Sequence, residues 1–193
     1  MYTAPVEHVA EDSRPGSRLK EFLTVLIVAA LFTLPLRLYV ARPFIVSGAS
    51  MLPTFTSEEY LVIDELSYRL RTPKRGDVVV LRYPLDESKF FIKRIVGLPG
   101  EVLSVKNGEV SVLGKDGQTN EKLIEPYVAP ETKKEFQVSK LADDEYFVMG
   151  DNRDESSDSR TWGPLPRKYI IGRVFARLYP FRDARILPGT HTF

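Results

Sequence analysis

Gly76-Asp77-Val78-Val79-Val80-Leu81-Arg82-Tyr83 is rich in β-branched residues and ends at Pro84, which is typical of a strand. Similar runs lie on both sides of it, at Leu61–Leu66, Phe90–Val96, Glu101–Val105, Glu109–Leu113, Glu145–Met149 and Ile170–Tyr179. Asn107-Gly108 separates two of these runs and is a strong hairpin signal. The frequent turns predict a mostly β, mainly antiparallel domain over residues 41–193. Residues 114–143 are polar and weakly periodic, and they predict a variable surface excursion.

The composition of the chain excludes several classes of function. With 193 residues there is room for one domain and a tail, and a net charge of +1 argues against binding to nucleic acid. Cysteine is absent, which excludes thiol catalysis, disulfides and Cys-ligated zinc. His8 and His191 lie close to the termini and are poorly placed for a Ser-His-Asp triad. A hydrolase with this sequence would therefore use a lysine or a carboxylate as its base, and no metal or cofactor is expected.

The longest apolar segment is Phe22–Val40. As a helix it would span roughly 28 Å, close to the hydrocarbon thickness of a bilayer. Pro35 and Arg37 weaken its C-terminal end, although a membrane helix tolerates proline and an arginine can snorkel to the interface. A buried core helix is the alternative. We expect a polar tail over residues 1–20 and a single-pass transmembrane anchor over residues 21–40.

The orientation of this segment follows from its flanking charges. Arg14, Arg18 and Lys20 precede it, against Arg37 and Arg42 on the other side, and this excess favours a cytoplasmic N-terminus. A cleaved signal peptide is a competing interpretation, but the stretch is long for one and no small-x-small cleavage site follows Val40. The expected location is the cell membrane, with the β domain on its extracytoplasmic side.

Directly after the apolar segment comes Ser47-Gly48-Ala49-Ser50-Met51-Leu52-Pro53-Thr54. Ser50 lies between small residues and a Met-Leu-Pro run, and it is a candidate nucleophile. Small polar residues also mark loops, so a flexible linker between anchor and domain is an open alternative at this octapeptide.

The candidate base is Lys93. In a strand, Phe91, Lys93 and Ile95 share one face, and apolar neighbours that desolvate an amine lower its pKa. A shift of about three units from ~10.4 would bring the amine into the range of a general base. Arg94 points to the opposite face and stays protonated, so it could not serve. A lysine at the edge of a half-exposed strand is the alternative.

A third stretch, Met149–Gly163, follows a strand and is dense in Asp, Arg, Asn and Ser. It could be a solvated turn or a weak calcium loop. Asp151, Asp154 and Asp158 lack the alternating ligand positions of an EF-hand, however, and two arginines would oppose a cation. A network of this composition is better suited to holding a neighbouring group in place.

Taken together, these stretches resemble those of the bacterial type I signal peptidases. Four blocks carry the resemblance, in order and spacing over most of residues 42–181: Ser50-Met51-x-Pro53-Thr54, Arg75-Gly76-Asp77-Val78-Val79, Phe91-Ile92-Lys93-Arg94-x-Val96-Gly97-Leu98-Pro99-Gly100, and Gly150-Asp151-Asn152-Arg153-Asp154-x-Ser156-x-Asp158-Ser159-Arg160, followed by Trp162-Gly163. The resemblance implies a membrane-anchored serine endopeptidase that removes signal peptides from exported preproteins.

The resemblance also implies residue roles. Ser50 would be the nucleophile and neutral Lys93 the general base, with Ser156 hydrogen-bonded to the Lys93 amine. Supporting residues would be an Asp158–Arg160 ion pair near the site, and Asp151 and Arg153 in the same loop. The Ser50 N–H would donate to the oxyanion. One branch of the family uses a serine two positions before the nucleophile as a second donor; this chain has Gly48 there, and Ser47 is a speculative substitute.

The resemblance and the apolar residues near Ser50 also predict contacts with the substrate and the membrane. The resemblance implies small residues at the first and third positions before the cut, and shallow pockets lined by Phe44, Val46, Ile92 and Ile95 would suit them. Met51, Leu52 and Phe55 would form an apolar surface on the bilayer, with packing in the core as the alternative. Expected partners are preproteins, the lipid bilayer and a nearby translocation machinery, with no nucleic acid and a monomeric enzyme.

Three other functions compete with this interpretation. An anchored β domain that binds a partner without cleaving it would have no reason to keep both Ser50 and Lys93. A Ser-Lys self-cleaving repressor would need a helix-turn-helix before the protease domain, where this chain has its apolar segment. A specialised peptidase with one dedicated substrate is an alternative within the same enzyme class.

Overall fold

The computed structural model describes residues 15–35, 42–106, 108–118, 120–128, 136–138 and 140–191. Residues 1–14 of the predicted tail (1–20) and residues 36–40 of the predicted anchor (21–40) lie outside these ranges. The chain divides into two units, Met1–Leu38 and Tyr39–Phe193, and each is described by itself.

The described part of the first unit is one helix, α1 (Pro15–Pro35). It begins inside the predicted polar tail, at a proline, a residue favoured in the first turn because the N–H that it lacks would have no helical partner there. Many of the apolar side chains of α1 are exposed, among them Phe22, Val25, Ile27 and Leu31. Within the described ranges, no helix is both long enough and apolar enough to cross a membrane.

The second unit is built on antiparallel strands, as the sequence predicts. In its described residues one sheet has the order β1-β2-β11-β3-β4-β9-β10, with β12 paired to β11. Its strands are β1 (Arg42–Ile45), β2 (Tyr60–Asp64), β3 (Val78–Tyr83), β4 (Asp86–Gly97), β9 (Glu145–Met149), β10 (Leu165–Pro166), β11 (Ile170–Tyr179) and β12 (Arg185–Ile186). Short helices α2 (Ser67–Leu70) and α3 (Ser159–Trp162), and 3₁₀ turns at Arg167–Tyr169 and Phe181–Asp183, connect them.

A smaller sheet has the order β7-β6-β5-β8, with β5 (Val102–Lys106), β6 (Glu109–Leu113), β7 (Asn120–Lys122) and β8 (Phe136–Val138). Lys106 is the partner of Glu109, so β5 and β6 form a hairpin with Gly108 in its turn. Gly108 has a φ of +81°, the left-handed conformation that such turns require and glycine adopts without strain. The predicted hairpin is confirmed.

The main sheet is covered on both faces, which explains the unbroken apolar run in β3. Val78 and Val80 pack with Phe55, Leu61 and Ile63, whereas Val79 and Leu81 pack with Ile95 and Val148 on the other face. A strand buried on both sides shows a continuous apolar run instead of an alternation.

The polar segment 114–143, predicted to be a surface excursion, contributes two edge strands and two buried leucines to the domain. β7 and β8 belong to the smaller sheet, and Leu123 and Leu141 are buried with Leu103, Val112 and Phe147. The polar composition hid this role because strands at the edges of a small sheet bury few side chains: all three residues of β7 are exposed.

Candidate active site

Ser50 lies in the turn-rich segment between β1 and β2, and two buried side chains fix that segment to the core. Met51 is 1% exposed and Phe55 is 0% exposed, and both pack with Leu61 and Val80. The expectation that Met51 and Phe55 contact the bilayer is therefore wrong; the alternative, packing in the core, is what the structure shows. Leu52 is half-buried. The anchoring leaves Ser50 itself half-buried at the protein surface.

Lys93 lies in the middle of β4, and its amine reaches Ser50. Lys93 Nζ donates hydrogen bonds to Ser50 Oγ at 2.8 Å and to the Ile92 carbonyl at 2.9 Å, and it lies 5.2 Å from the centre of the Phe91 ring. The residue is only 3% exposed. The predicted shared face of Phe91 and Lys93 is thus confirmed, and the alternative of a half-exposed edge lysine is excluded.

The buried position changes the acidity of this amine. Burial lowers the pKa of Lys93 from 10.5 to about 8, against the opposing effect of the Asp158 and Asp151 carboxylates and with the help of the Arg160 guanidinium. Burial removes water from the amino group, and this loss of hydration costs the charged ammonium more free energy than the neutral amine. At neutral pH a useful fraction of Lys93 is therefore unprotonated, as a general base must be.

A first prediction concerns pH. If neutral Lys93 is the base, kcat/KM for a peptide substrate should rise about tenfold for each pH unit up to about pH 8 and then level off. Initial rates from about pH 6 to about pH 9 test this, with circular dichroism at each pH to show that the fold persists. A flat profile over this range would contradict the assignment of Lys93 as the base.

β4 also brings Lys93 next to the third stretch of the sequence. Arg94 is the partner of Met149 in the antiparallel pairing of β4 with β9, so the loop that leaves β9 at Gly150 starts beside Lys93. The Asn152 N–H donates to the Ser50 carbonyl at 3.1 Å. A Cβ on Gly150 would lie 2.4 Å from the same carbonyl oxygen, so only glycine allows the loop to approach Ser50 this closely.

Asp158 and Arg160 form the predicted ion pair, with Arg160 Nη2 and Asp158 Oδ2 2.8 Å apart. Asp158 also accepts from the Gly150 N–H at 2.9 Å. Burial alone would raise the pKa of the Asp158 carboxyl, but the Arg160 guanidinium and this N–H together hold it below its usual range. Asp158 therefore stays ionised and fixes both ends of the loop.

The structure does not contain the hydrogen bond expected between Ser156 and Lys93. The Ser156 hydroxyl is buried, and the hydrogen bonds of the Lys93 amine go to Ser50 and Ile92 instead. Ser156 packs against Gly150, where an added Cβ would meet Ser156 Oγ at 2.3 Å. In this structure the amine of Lys93 is instead oriented by the carbonyl of Ile92.

Asp151 is paired with an arginine that sequence reasoning dismissed. Arg94 Nε and Nη2 donate to the two carboxylate oxygens of Asp151 at 2.8 and 2.6 Å, and Thr54 Oγ1 donates to Asp151 Oδ2 at 2.5 Å. Arg94 also donates to the carbonyls of Gly76 and Gly189. Permanent protonation excludes Arg94 as a base, but its position on the face opposite Lys93 makes Arg94 the link between the nucleophile segment and the loop. The sequence signal that could have identified Arg94 was its position next to Lys93 in one of the four blocks.

Arg153 contacts the polar segment 114–143, about which sequence patterns indicated least. Arg153 Nη2 donates to Glu125 Oε1 at 2.6 Å and Nε to the Gly150 carbonyl at 3.0 Å. The Tyr127 hydroxyl donates to the same Glu125 oxygen at 2.9 Å, and the Arg94 guanidinium lies 3.8 Å from the centre of the Tyr127 ring. Residues 125–127 thus support the loop from its other side, and no local pattern pointed to them.

Gly48 has a structural reason to be glycine, because its φ is +95°. Its N–H donates to Ser57 Oγ at 3.0 Å, and Ser57 Oγ donates to the Gly48 carbonyl at 3.2 Å. The hydroxyl of Ser57 therefore holds this turn from a position that the sequence gave no reason to select. Ser47 is exposed.

A cleft opens beside Ser50 and Lys93. It is lined by apolar side chains that include Phe44, Val46 and Ile92, as expected, and by the polar residues Ser47, Glu155 and Ser157. Ile95 was expected in this lining, and that expectation is wrong. It is 0% exposed and packs with Val79 and Val148 in the core, because the sheet is covered on that face too.

The sequence of this chain is similar to those of known proteins over most of its length. The signal peptidase family, peptidase S26, matches residues 19–179. The chain belongs to this family. A probable signal peptidase I-2 from Synechocystis sp. is 38% identical over 176 residues, 88% of this chain and 78% of that protein. A signal peptidase I from Bacillus amyloliquefaciens is 33% identical over 186 residues, 91% of this chain and 96% of that protein.

A crystal structure of a signal peptidase I from Enterococcus faecalis V583 aligns with a TM-score of 0.46 and 25% identity, over 54% of this chain and 97% of that chain. The family assignment rests on the sequence matches. They confirm the family and the enzyme class that the four blocks predicted, a serine endopeptidase of the signal peptidase type.

Proposed function

We propose that this signal peptidase cleaves N-terminal signal peptides from exported preproteins with Ser50 as nucleophile and Lys93 as general base. The observation that carries the proposal is the 2.8 Å contact between Lys93 Nζ and Ser50 Oγ. It brings together a hydroxyl beside an open cleft and an amine whose pKa burial lowers to about 8. A nucleophile within hydrogen-bond reach of a suitable base is the arrangement that covalent hydrolysis requires.

The reaction proceeds through an ester of Ser50. Neutral Lys93 accepts the Ser50 proton while Oγ attacks the scissile carbonyl, and the Ser50 N–H donates to the oxyanion. As the tetrahedral intermediate collapses, the C–N bond breaks and the protonated Lys93 gives its proton to the leaving amine. Lys93 then takes a proton from water, which attacks the ester, and returns it to Ser50 Oγ as the acid is released. The loop bearing Asp151, Arg153, Asp158 and Arg160 positions these groups.

The cleft accounts for the proposed specificity. Side chains of an extended peptide alternate between two directions, so the first and third residues before the cut enter the cleft together. Phe44, Val46 and Ile92 line it with bulky apolar groups, which leaves room for small side chains. An Ala-x-Ala sequence before the scissile bond suits these dimensions.

The enzyme is proposed to be anchored in the cell membrane by residues 21–40, with a cytoplasmic N-terminus and an extracytoplasmic catalytic domain. The exposed apolar side chains of α1, which covers residues 15–35 of the chain, support this arrangement, because such surface is favourable in lipid and costly in water. A preprotein whose signal peptide lies in the same bilayer, close to the translocation machinery, then presents its cleavage site at the membrane surface. The catalytic unit is proposed to act as a monomer.

The catalytic unit has its own apolar surface that fits the bilayer, in place of Met51 and Phe55. Beside the carboxylate of Glu58, exposed apolar side chains line a shallow depression formed by β1, β2, the end of β11 and the turn after it: Ile45, Tyr60, Leu178, Tyr179 and Phe181. The chain enters the unit through β1, so Ile45 follows the proposed anchor by only a few residues. Contiguous apolar patches of this kind mark contacts with membranes or partners.

One experiment tests the function itself. The full chain in detergent is incubated with a preprotein that carries an Ala-x-Ala site, and the cut is mapped by mass spectrometry. A matched preprotein with Phe at the first position before the cut serves as the control. Cleavage directly after the second Ala, lost in the control, is the expected result. Binding without cleavage would instead support the non-cleaving domain, and cleavage of a single preprotein among several would support a dedicated peptidase.

A further inference from the structure

The cleft beside the candidate dyad has two charged residues in its described lining, Lys93 and Glu155. Lys93 is buried and bound to Ser50. Glu155 is exposed, and it makes no hydrogen bond or ion pair with any other described residue. The charges that shift the pKa of Lys93 are those of Asp158, Asp151 and Arg160. An acidic side chain thus lies at the cleft without a partner among the residues that the structure describes.

Neighbouring acidic residues in the same loop differ from Glu155. Asp151 and Asp158 are buried and paired with Arg94 and Arg160, so their charges are neutralised internally. Asp154 is exposed but does not line the cleft. The paired carboxylates hold the loop in place, and Glu155 is therefore presented to the cleft from a fixed backbone.

We propose that Glu155 is a specificity-determining residue that favours a basic substrate side chain next to the scissile bond and disfavours an acidic one. This inference rests on the proposed function. If the side chains of the first and third residues before the scissile bond enter the cleft, two neighbouring side chains are directed away from it. These belong to the residue between those two and to the first residue after the scissile bond. A lysine or arginine at either position has a long apolar stem that can lie over the rim of the cleft while its charge reaches Glu155.

The size of the effect follows from ordinary surface electrostatics. Exposed opposite charges attract weakly and like charges repel by a similar amount. Replacing a lysine of the substrate by a glutamate turns an attraction to Glu155 into a repulsion, so kcat/KM should fall by about three- to tenfold. Added salt should reduce this ratio, since it screens exposed charges.

The test uses matched peptides with an Ala-x-Ala site that carry Lys, Ala or Glu at x or at the first position after the cut. The ratio of kcat/KM for Lys over Glu peptides is measured for the wild type, Glu155→Gln, Glu155→Lys and the control Asp154→Asn, which removes an equal charge from the next residue. We expect a ratio above one in the wild type and in Asp154→Asn, near one in Glu155→Gln, and below one in Glu155→Lys at one position at least. An equal ratio in wild type and Glu155→Gln at both positions would overturn the inference.

A binding measurement separates this inference from the proposed proteolysis. In Ser50→Ala, fluorescence anisotropy should give a lower Kd for the Lys peptide than for the Glu peptide, and the difference should disappear in Ser50→Ala/Glu155→Gln. Charge-dependent binding without cleavage by the wild type would refute proteolysis and keep the role of Glu155. Binding that ignores the charge of the peptide, or no binding at all, overturns the inference. Equal thermal midpoints exclude unfolding as the cause of a lost difference.

Discussion

Lys93→Met is expected to abolish cleavage and to make the protein more stable. Methionine is close to lysine in length and apolar, so it fills the same buried site without an amine. Loss of the base should lower kcat by on the order of 10⁴-fold. Ser50→Ala should remove cleavage to a similar extent, and the double variant should be little worse than either single one, because the two residues act as one unit.

The expected gain in stability follows from the pKa of Lys93. Burial lowers that pKa from 10.5 to about 8 in the folded protein, so below pH 8 the folded state carries the cost of a buried ammonium. The full shift corresponds to about 3 kcal/mol. Between about pH 8 and 10.5 the unfolded chain binds more protons than the folded one, and stability rises with pH. Lys93→Met removes this cost, so its advantage should be largest at neutral pH and fade above pH 8.

Urea unfolding at neutral and at alkaline pH measures this advantage, and a peptide assay measures the activity. Lys89→Met is the matched control, because Lys89 lies on the same strand but its side chain is 62% exposed. It should leave both the activity and the free energy of unfolding close to wild type. A Lys93→Met enzyme that still cleaves, or one that is destabilised at neutral pH, would contradict the assignment.

Asp151→Asn is expected to destabilise the fold by about 3–5 kcal/mol, since it leaves a buried guanidinium without its counter-charge. The side chains of Arg94 and Asp151 are each 1% exposed and share two hydrogen bonds. Thr54 Oγ1 donates to the same carboxylate. Asparagine keeps the shape of the side chain but has one acceptor oxygen and an amide that cannot accept from Arg94 or Thr54.

The free energy of unfolding from urea titration measures this loss. Asp86→Asn is the control, because it breaks an exposed ion pair with Lys89, and such pairs contribute about 0–1 kcal/mol. Activity should fall with stability in Asp151→Asn, since Thr54 and the loop at Gly150 both depend on this carboxylate. A loss as small as that of the control would show that the Arg94–Asp151 pair does not hold the nucleophile segment to the loop.

Sequence patterns were reliable where local preferences decide the structure. The β-branched run at Val78–Tyr83 and the hairpin turn at Gly108 each follow from local backbone sterics and side-chain packing. The four blocks that match the signal peptidases identified the family for the same reason, because chemically demanding residues recur there at fixed spacing. Ser50 and Lys93 stood out within those blocks.

Patterns failed where burial depends on what covers a face. Period two places Phe91, Lys93 and Ile95 on one side of β4, but it cannot tell that Ile95 is enclosed while Lys93 reaches the cleft. Likewise, Met51 and Phe55 are apolar residues near a proposed anchor, and only the packing of β2 and β3 decides that they face the core. The buried support from Glu125 and Tyr127 comes from a segment whose composition predicted exposure.

By itself the sequence determined the apolar strands, the hairpin, the family and the two candidate residues of the dyad, because each is encoded in a short stretch of chain. The tertiary structure alone decided that Lys93 Nζ meets Ser50 Oγ at 2.8 Å, that Arg94 pairs with Asp151, and that Glu155 lines the cleft. These contacts join residues far apart in the chain or depend on what surrounds them. Their geometry is set by the packing of both sheets together, which no local pattern contains.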